Sequence, residues 1–219
     1  MSSQEALVER LEKVCDRLEA LATKLGKNVV ASALADVDSD DDSTPASVSA
    51  WQQLMDEHLP PLLEAMKSID GEFESLTKSA YDNITALIAA APSCKKPTPE
   101  ALLAFLKPAC DAIAAAQSKD TRGATGLHAQ AFAEWIQGIA WVTVEPAPRG
   151  IVEAQLQAAD FYLNKVLVAT KEADDKEVHR AFVNGCRALL KDVMKYIKAF
   201  QTTGIVYNGA GVALSEFGK

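Results

Sequence analysis

Leu7-Val8-Glu9-Arg10-Leu11-Glu12-Lys13-Val14-Cys15-Asp16-Arg17-Leu18-Glu19-Ala20-Leu21-Ala22-Thr23-Lys24-Leu25 sets the pattern for the whole chain. Its apolar positions Leu7, Leu11, Val14, Leu18, Leu21 and Leu25 recur in steps of four and three, the 3.5-residue period of a coiled-coil seam. Placing Leu11, Leu18 and Leu25 at heptad position a puts Leu7, Val14 and Leu21 at d. Position e then carries Val8, Cys15 and Ala22, and position g carries Arg10, Arg17 and Lys24. Small apolar residues at e widen the buried stripe beyond a dimer seam, which predicts a homo-oligomer of more than two chains. The phrase Arg10-Leu11-Glu12 returns one heptad later as Arg17-Leu18-Glu19. At ~100° per residue, each arginine and glutamate flank their leucine on opposite sides. The basic flank of one helix can therefore meet the acidic flank of its neighbour in a parallel ring. The same stripe could instead fold back on a main domain, because a lone helix of this length is marginal in water and has to bury its seam somewhere.

Outward from this helix, assigned to residues 1–27, the composition changes. Asp36, Asp38, Asp40, Asp41 and Asp42, interleaved with Ser39, Ser43, Thr44 and Pro45, read as a solvated acidic linker over 28–45. The Asp38, Asp40, Asp42 spacing imitates the start of a calcium loop. It fails at the sixth position, which is Ser43, and at the twelfth, which is Ser49.

Helical periodicity then resumes over 46–204. Six apolar stripes are distinguishable. The first runs from Trp51 to Ile69, with a kink or break expected at Pro60-Pro61. The second runs from Phe73 to Ile88. The third runs from Leu102 to Ile113, opened by Thr98-Pro99-Glu100 and kinked near Pro108. The fourth runs from Leu127 to Ala140, the fifth from Ile151 to Leu167, and the sixth from Val178 to Phe200, capped by Asp174-Asp175. Trp135 and Trp141, six residues apart on the fourth, do not share one helical face. Val142-Thr143-Val144 is strand-like but has no second strand to pair with. Residues 205–219 form a Gly-rich, irregular tail. The expected fold is all-α: an N-terminal oligomerising coiled coil followed by an antiparallel six-helix bundle.

A net charge of −8 over 219 residues argues against a nucleic-acid binder. No apolar run approaches the ~20 residues that span a bilayer. The four cysteines, Cys15, Cys94, Cys110 and Cys186, show no metal or redox spacing, which points to reduced thiols and a cytoplasmic protein. His58, His128 and His179 fit no zinc pattern. Ser75-x-x-Lys78 and Ser93-x-x-Lys96 lack the other parts of a serine–lysine site, and Gly209-Ala210-Gly211 lacks the third glycine and the strand of a dinucleotide fingerprint. No catalytic constellation, metal site or cofactor is expected, so the chain reads as a non-enzyme whose work is recognition. Arg122, Gly123 and His128 border a loop that opens a helix and are candidates for a recognition surface.

Two aliphatics before the first Arg-Leu-acid triplet, then Arg-Leu-Glu after four residues, resemble the N-terminal signature of cyclase-associated proteins. Ile136-Gln137-x-x-x-Trp141, Phe161-Tyr162-x-Asn164-Lys165-Val166-Leu167 and Thr202-Thr203-Gly204 resemble phrases of the same family's helical folded domain, in the same order. The resemblance implies an actin-turnover protein of the cytoplasm, actin cytoskeleton and cell cortex. It implies that the bundle binds pointed ends of cofilin-decorated actin filaments and promotes severing and depolymerisation, with the coiled coil giving avidity. Its partners would be actin and cofilin, with Gln137 and Asn164 joining Arg122, Gly123 and His128 as candidate contacts. The alternative is a signalling adaptor in which Leu7, Arg10, Leu11, Glu12, Val14, Arg17, Leu18, Glu19, Leu21 and Leu25 engage the coiled coil of adenylyl cyclase. Family members continue beyond such a half, so nucleotide exchange on actin monomers is not expected of this chain.

Overall fold

Pro60 and Pro61 lie inside one unbroken helix, α1, Ala46–Ile69, in a computed structural model that describes residues 44–217. The break expected there does not occur. Two prolines remove two backbone hydrogen bonds, but both are exposed and so are Asp56 and Glu57, whose freed carbonyls can turn to water. The heptad helix with Leu7, Arg10, Leu11, Glu12, Val14, Arg17, Leu18, Glu19, Leu21 and Leu25, and the acidic linker up to Ser43, lie outside the described residues.

Asp70 ends α1 and starts the next helix. Its extended backbone donates its N–H to the Met66 carbonyl, while its carboxylate accepts from the Glu72 N–H at 2.9 Å. The second helix, α2, spans Gly71–Ala90 and turns through a 3₁₀ segment at Ala91–Ser93. Thr98 then caps α3, Pro99–Phe105, accepting from the Ala101 N–H at 3.3 Å. The expected third helix is not merely kinked but divided: the backbone leaves helical geometry at Leu106, and α4 restarts over Lys107–Ser118. Pro108 cannot donate to the Ala104 carbonyl, so the ladder fails one turn before it. The six helices expected over 46–204 therefore become seven among the described residues.

The next helix, α5, Gly126–Ile136, tightens into a 3₁₀ segment, Gln137–Thr143. This winding answers the tryptophan question. Six α-helical steps would set Trp141 about 240° from Trp135. Five 3₁₀ steps of about 120° bring it back to within about 20°. Both are accordingly buried, at 0% and 1% exposure. The same segment absorbs Val142 and Thr143, and no named strand occurs among the described residues. The last two helices are α6, Arg149–Ala169, and α7, Lys176–Phe200. Asp175 precedes α7 but its carboxylate caps no backbone N–H, contrary to expectation; its Oδ1 faces His179 Nε2 at 3.2 Å.

Helix α7 packs on α1 and α6, α2 on α1 and α4, and α5 on α6. The α1–α7 approach is close because Gly185 faces Leu62; a Cβ there would lie 2.9 Å from Leu62 Cδ1. Two aromatic groups fill the core. Trp51, Trp141 and Tyr196 cluster at one end of α7, and Phe73, Phe132 and Phe182 at the other. The Trp51 indole donates to Thr85 Oγ1 at 2.9 Å and the Trp135 indole to the Cys186 carbonyl at 2.9 Å. The segment after Gly204 is not a loose tail. Ile205 and Leu214 are buried, and Val212 exchanges backbone hydrogen bonds with Ser93 and Lys95.

Candidate protein-binding surface

Helix α6 buries Val152, Ala159, Leu163 and Val166, spaced seven, four and three apart. That phase turns Phe161, Lys165 and Val168, themselves four and three apart, to the outside. Phe161 is 58% exposed and Val168 72%, an unusual use of large apolar side chains. Lys165 Nζ lies 4.1 Å above the Phe161 ring, and Tyr162 meets Phe161 edge to face at 5.1 Å. These contacts hold the exposed ring in place. Leu127 from the start of α5, with Asn164, Val168 and Ala169, completes a shallow cleft of about 470 Å³ beside it.

Asn164 sits on the edge of this cleft in a polar brace. Its side-chain oxygen accepts from Arg187 Nη2 at 2.8 Å, and Arg187 Nε donates to Asp160 Oδ1. Arg187 belongs to α7, so the brace fixes α6 to its neighbour and with it the ridge.

The other sequence candidates are scattered. Arg122 and Gly123 are exposed in the loop before α5. Arg122 bonds Asp120 through both its backbone N–H and Nε, and these bonds hold the Asp120 carboxyl below its usual range. His128 lies one helical turn on and is 3% exposed, so it is not a surface residue. The α5 phase that leaves Leu127 half-buried turns the next side chain inward, against His179 and Phe182. Gln137 is half-buried at the far end of α5, about 15 Å from the loop by helical rise, and bonds the Ala133 carbonyl at 2.8 Å. Asn164 alone of the five lies on the ridge. Phe161, Lys165, Val168, Asp160 and Arg187 are not among the contacts expected from sequence. One signal could have found Phe161: it is a large aromatic off the apolar stripe of its helix.

Among the described residues no group of three or more His, Cys, Asp or Glu could hold a metal ion, and no helix is long and apolar enough to cross a membrane. Cys94 and Cys186 are buried and Cys110 is exposed, all as free thiols. Burial pushes the Cys186 thiol well above its ordinary range, which keeps it a poor nucleophile.

The family model of the CAP N-terminal domain matches residues 51–205. The chain belongs to this family. A second model, of the CAP N-terminal conserved motif, matches residues 5–50, the segment with the repeated Arg-Leu-Glu phrase. An adenylyl cyclase-associated protein of Dictyostelium discoideum is 32% identical over 214 residues, covering 94% of this chain and 46% of the relative. The human adenylyl cyclase-associated protein 1 is 28% identical over 222 residues, covering 99% of this chain and 46% of the relative. The chain thus spans less than half the length of these relatives. A crystal structure of the N-terminal domain of CAP, described as indicating variable oligomerisation, superposes with a TM-score of 0.72 at 30% identity over 82% of this chain and 98% of that one. The N-terminal domain of the D. discoideum protein does so at 0.70 and 30% identity, over 77% and 98%. The resemblance carried by the Arg-Leu-Glu repeat and the helical-domain phrases thus points to the family that matches.

Proposed function

We propose that this chain is a non-enzymatic actin-turnover factor. Its helical bundle binds the pointed ends of cofilin-decorated actin filaments, at the cytoplasmic cortex, and speeds severing and subunit release. The carrying observation is the exposed ridge of Phe161, Lys165 and Val168, on a bundle of the CAP N-terminal family. An exposed aromatic held in a fixed pose beside a second apolar side chain and edged by polar groups has the layout of a protein-binding patch. Depolymerisation follows from differential binding. A bundle that holds the terminal, cofilin-twisted subunit more tightly than an intact end lowers the barrier to detachment. The heptad helix of residues 1–27 gathers more than two bundles, and linkage through 28–45 raises their effective concentration at one filament end.

Single filaments held in a flow cell test this reading. Cofilin-decorated filaments should shorten from the pointed end several-fold faster with the chain present than with cofilin alone. Equal rates would overturn it. The name shared by the relatives favours a second reading, capture of adenylyl cyclase through the heptad helix. Reversing Glu12 and Glu19 to lysine in the full chain should abolish that capture while its bundles, even as monomers, still bind cofilin-decorated actin.

A further inference from the structure

Helix α7 is basic in an acidic chain. It carries Lys176, Arg180, Arg187, Lys191, Lys195 and Lys198 against Glu177 and Asp192, a net +4 where the whole chain is −8. Lys191, Lys195 and Lys198 recur at steps of four and three, so they share one outward face. Arg149, at the start of α6, joins them across a cleft of about 500 Å³ floored by Ala188 and Met194. Lys191 and Lys198 are exposed and make no ion pair among the described residues. Arg149 reaches Glu153 only at 4.0 Å. The single carboxylate in the cleft, Asp192, is already engaged by Lys195 at 2.5 Å and His58 at 2.8 Å. On the other side of Asp192 and Lys195 runs a groove with Leu54, Tyr196 and Phe200 in its walls, and with Glu57 and His58 as well as Asp192 and Lys195 among its polar lining. Phe200 is 36% exposed.

We propose that this cleft and the groove beside it form a second docking surface, for a carboxylate-rich protein segment that lays its acidic residues along Lys191, Arg149 and Lys198 and rests one apolar side chain against the exposed edge of Phe200, whose ring is backed by Tyr196 at 5.4 Å. Charge complementarity carries the choice of partner. The cations are strung over about 10 Å of helix, which suits carboxylates one turn apart on a peptide better than one compact anion. No aromatic ring lines the cleft, so bases have nothing to stack on. The surface is separate from the α6 ridge and does not depend on the filament-end reading.

The test is fluorescence anisotropy of the full chain with a fluorescein-labelled peptide of eight glutamates around a central leucine. Inositol hexakisphosphate and duplex DNA serve as competitor arms. The peptide should bind, weaken steeply between about 50 and about 200 mM salt, and lose about tenfold in affinity in Lys191→Glu/Lys198→Glu. Phe200→Ser, at a side chain 36% exposed, should weaken binding. Lys191→Gln/Lys198→Gln gives the same reading with a milder change, and circular dichroism checks that both variants fold. No peptide binding at low salt overturns the proposal, as does binding unchanged in both double variants. Displacement by inositol hexakisphosphate or DNA at lower concentration than unlabelled peptide also overturns it, in favour of a phosphate site.

Discussion

His128 Nε2 and His179 Nδ1 stand 3.0 Å apart, one on α5 and one on α7. One ring must donate and the other accept, so the pair is held by a single shared proton. His128 is 3% exposed and its Nδ1 is buried without a partner. Burial first, and the neighbouring His179 second, push His128 down to about 4, while Asp175 works weakly the other way. In the unfolded chain it titrates near its ordinary value of 6.5. Between those values the unfolded state binds the extra proton, so stability is unaffected above pH 6.5 and falls as pH drops from 6.5 towards 4, by up to about 3 kcal/mol. Urea denaturation at pH 7 and pH 4.5 should show a markedly smaller loss for His128→Gln than for the wild type. Parallel losses would mean that His128 does not titrate this way.

Gly126 and Gly123 make a matched pair three residues apart. A Cβ on Gly126 would overlap the Thr121 carbonyl, whereas one on Gly123 meets nothing within 4 Å. Gly126→Ala should cost about 1–3 kcal/mol, because backbone rather than a flexible side chain has to move. Gly123→Ala should be neutral or stabilising by less than about 1 kcal/mol, through the unfolded state. Thermal melts of the two variants check the contrast.

Assembly is expected to reside in residues 1–27. Light scattering on 1–219 should give at least three times the 23.5 kDa chain mass, and on 46–219 a single chain. A monomer in both cases would remove the avidity argument. In that event any filament effect would come from the bundle alone.

The helices were legible because apolar residues recur at helical spacing: Trp51, Met55, Leu62 and Met66 mark α1 as plainly in sequence as in the core. What was not legible depends on small changes of winding. Pro108 was visible as a disturbance, but whether it bends or divides a helix depends on how the chain at Leu106 packs, and Leu106 is 2% exposed. The inward turn of Trp141 needs the 3₁₀ segment after Ile136, which no capping residue or proline announces. On the surface, polar residue type misled. His128 reads as a recognition residue and is core, whereas Phe161, off the apolar stripe of its helix, is 58% exposed and is not among the contacts expected from sequence. Burial of one residue follows from helix phase, and phase is settled by partners distant in sequence.

The most direct measurement is pointed-end shortening of cofilin-decorated single filaments with Phe161→Ser/Val168→Ser in place of the wild-type chain. Both side chains are largely exposed, so the double variant should keep its melting temperature to within about 2 °C. Its acceleration of shortening should fall at least about tenfold, the scale of losing one apolar hot spot. Acceleration equal to the wild type, in a variant that melts like the wild type, would contradict the assignment of the α6 ridge as the filament-binding face.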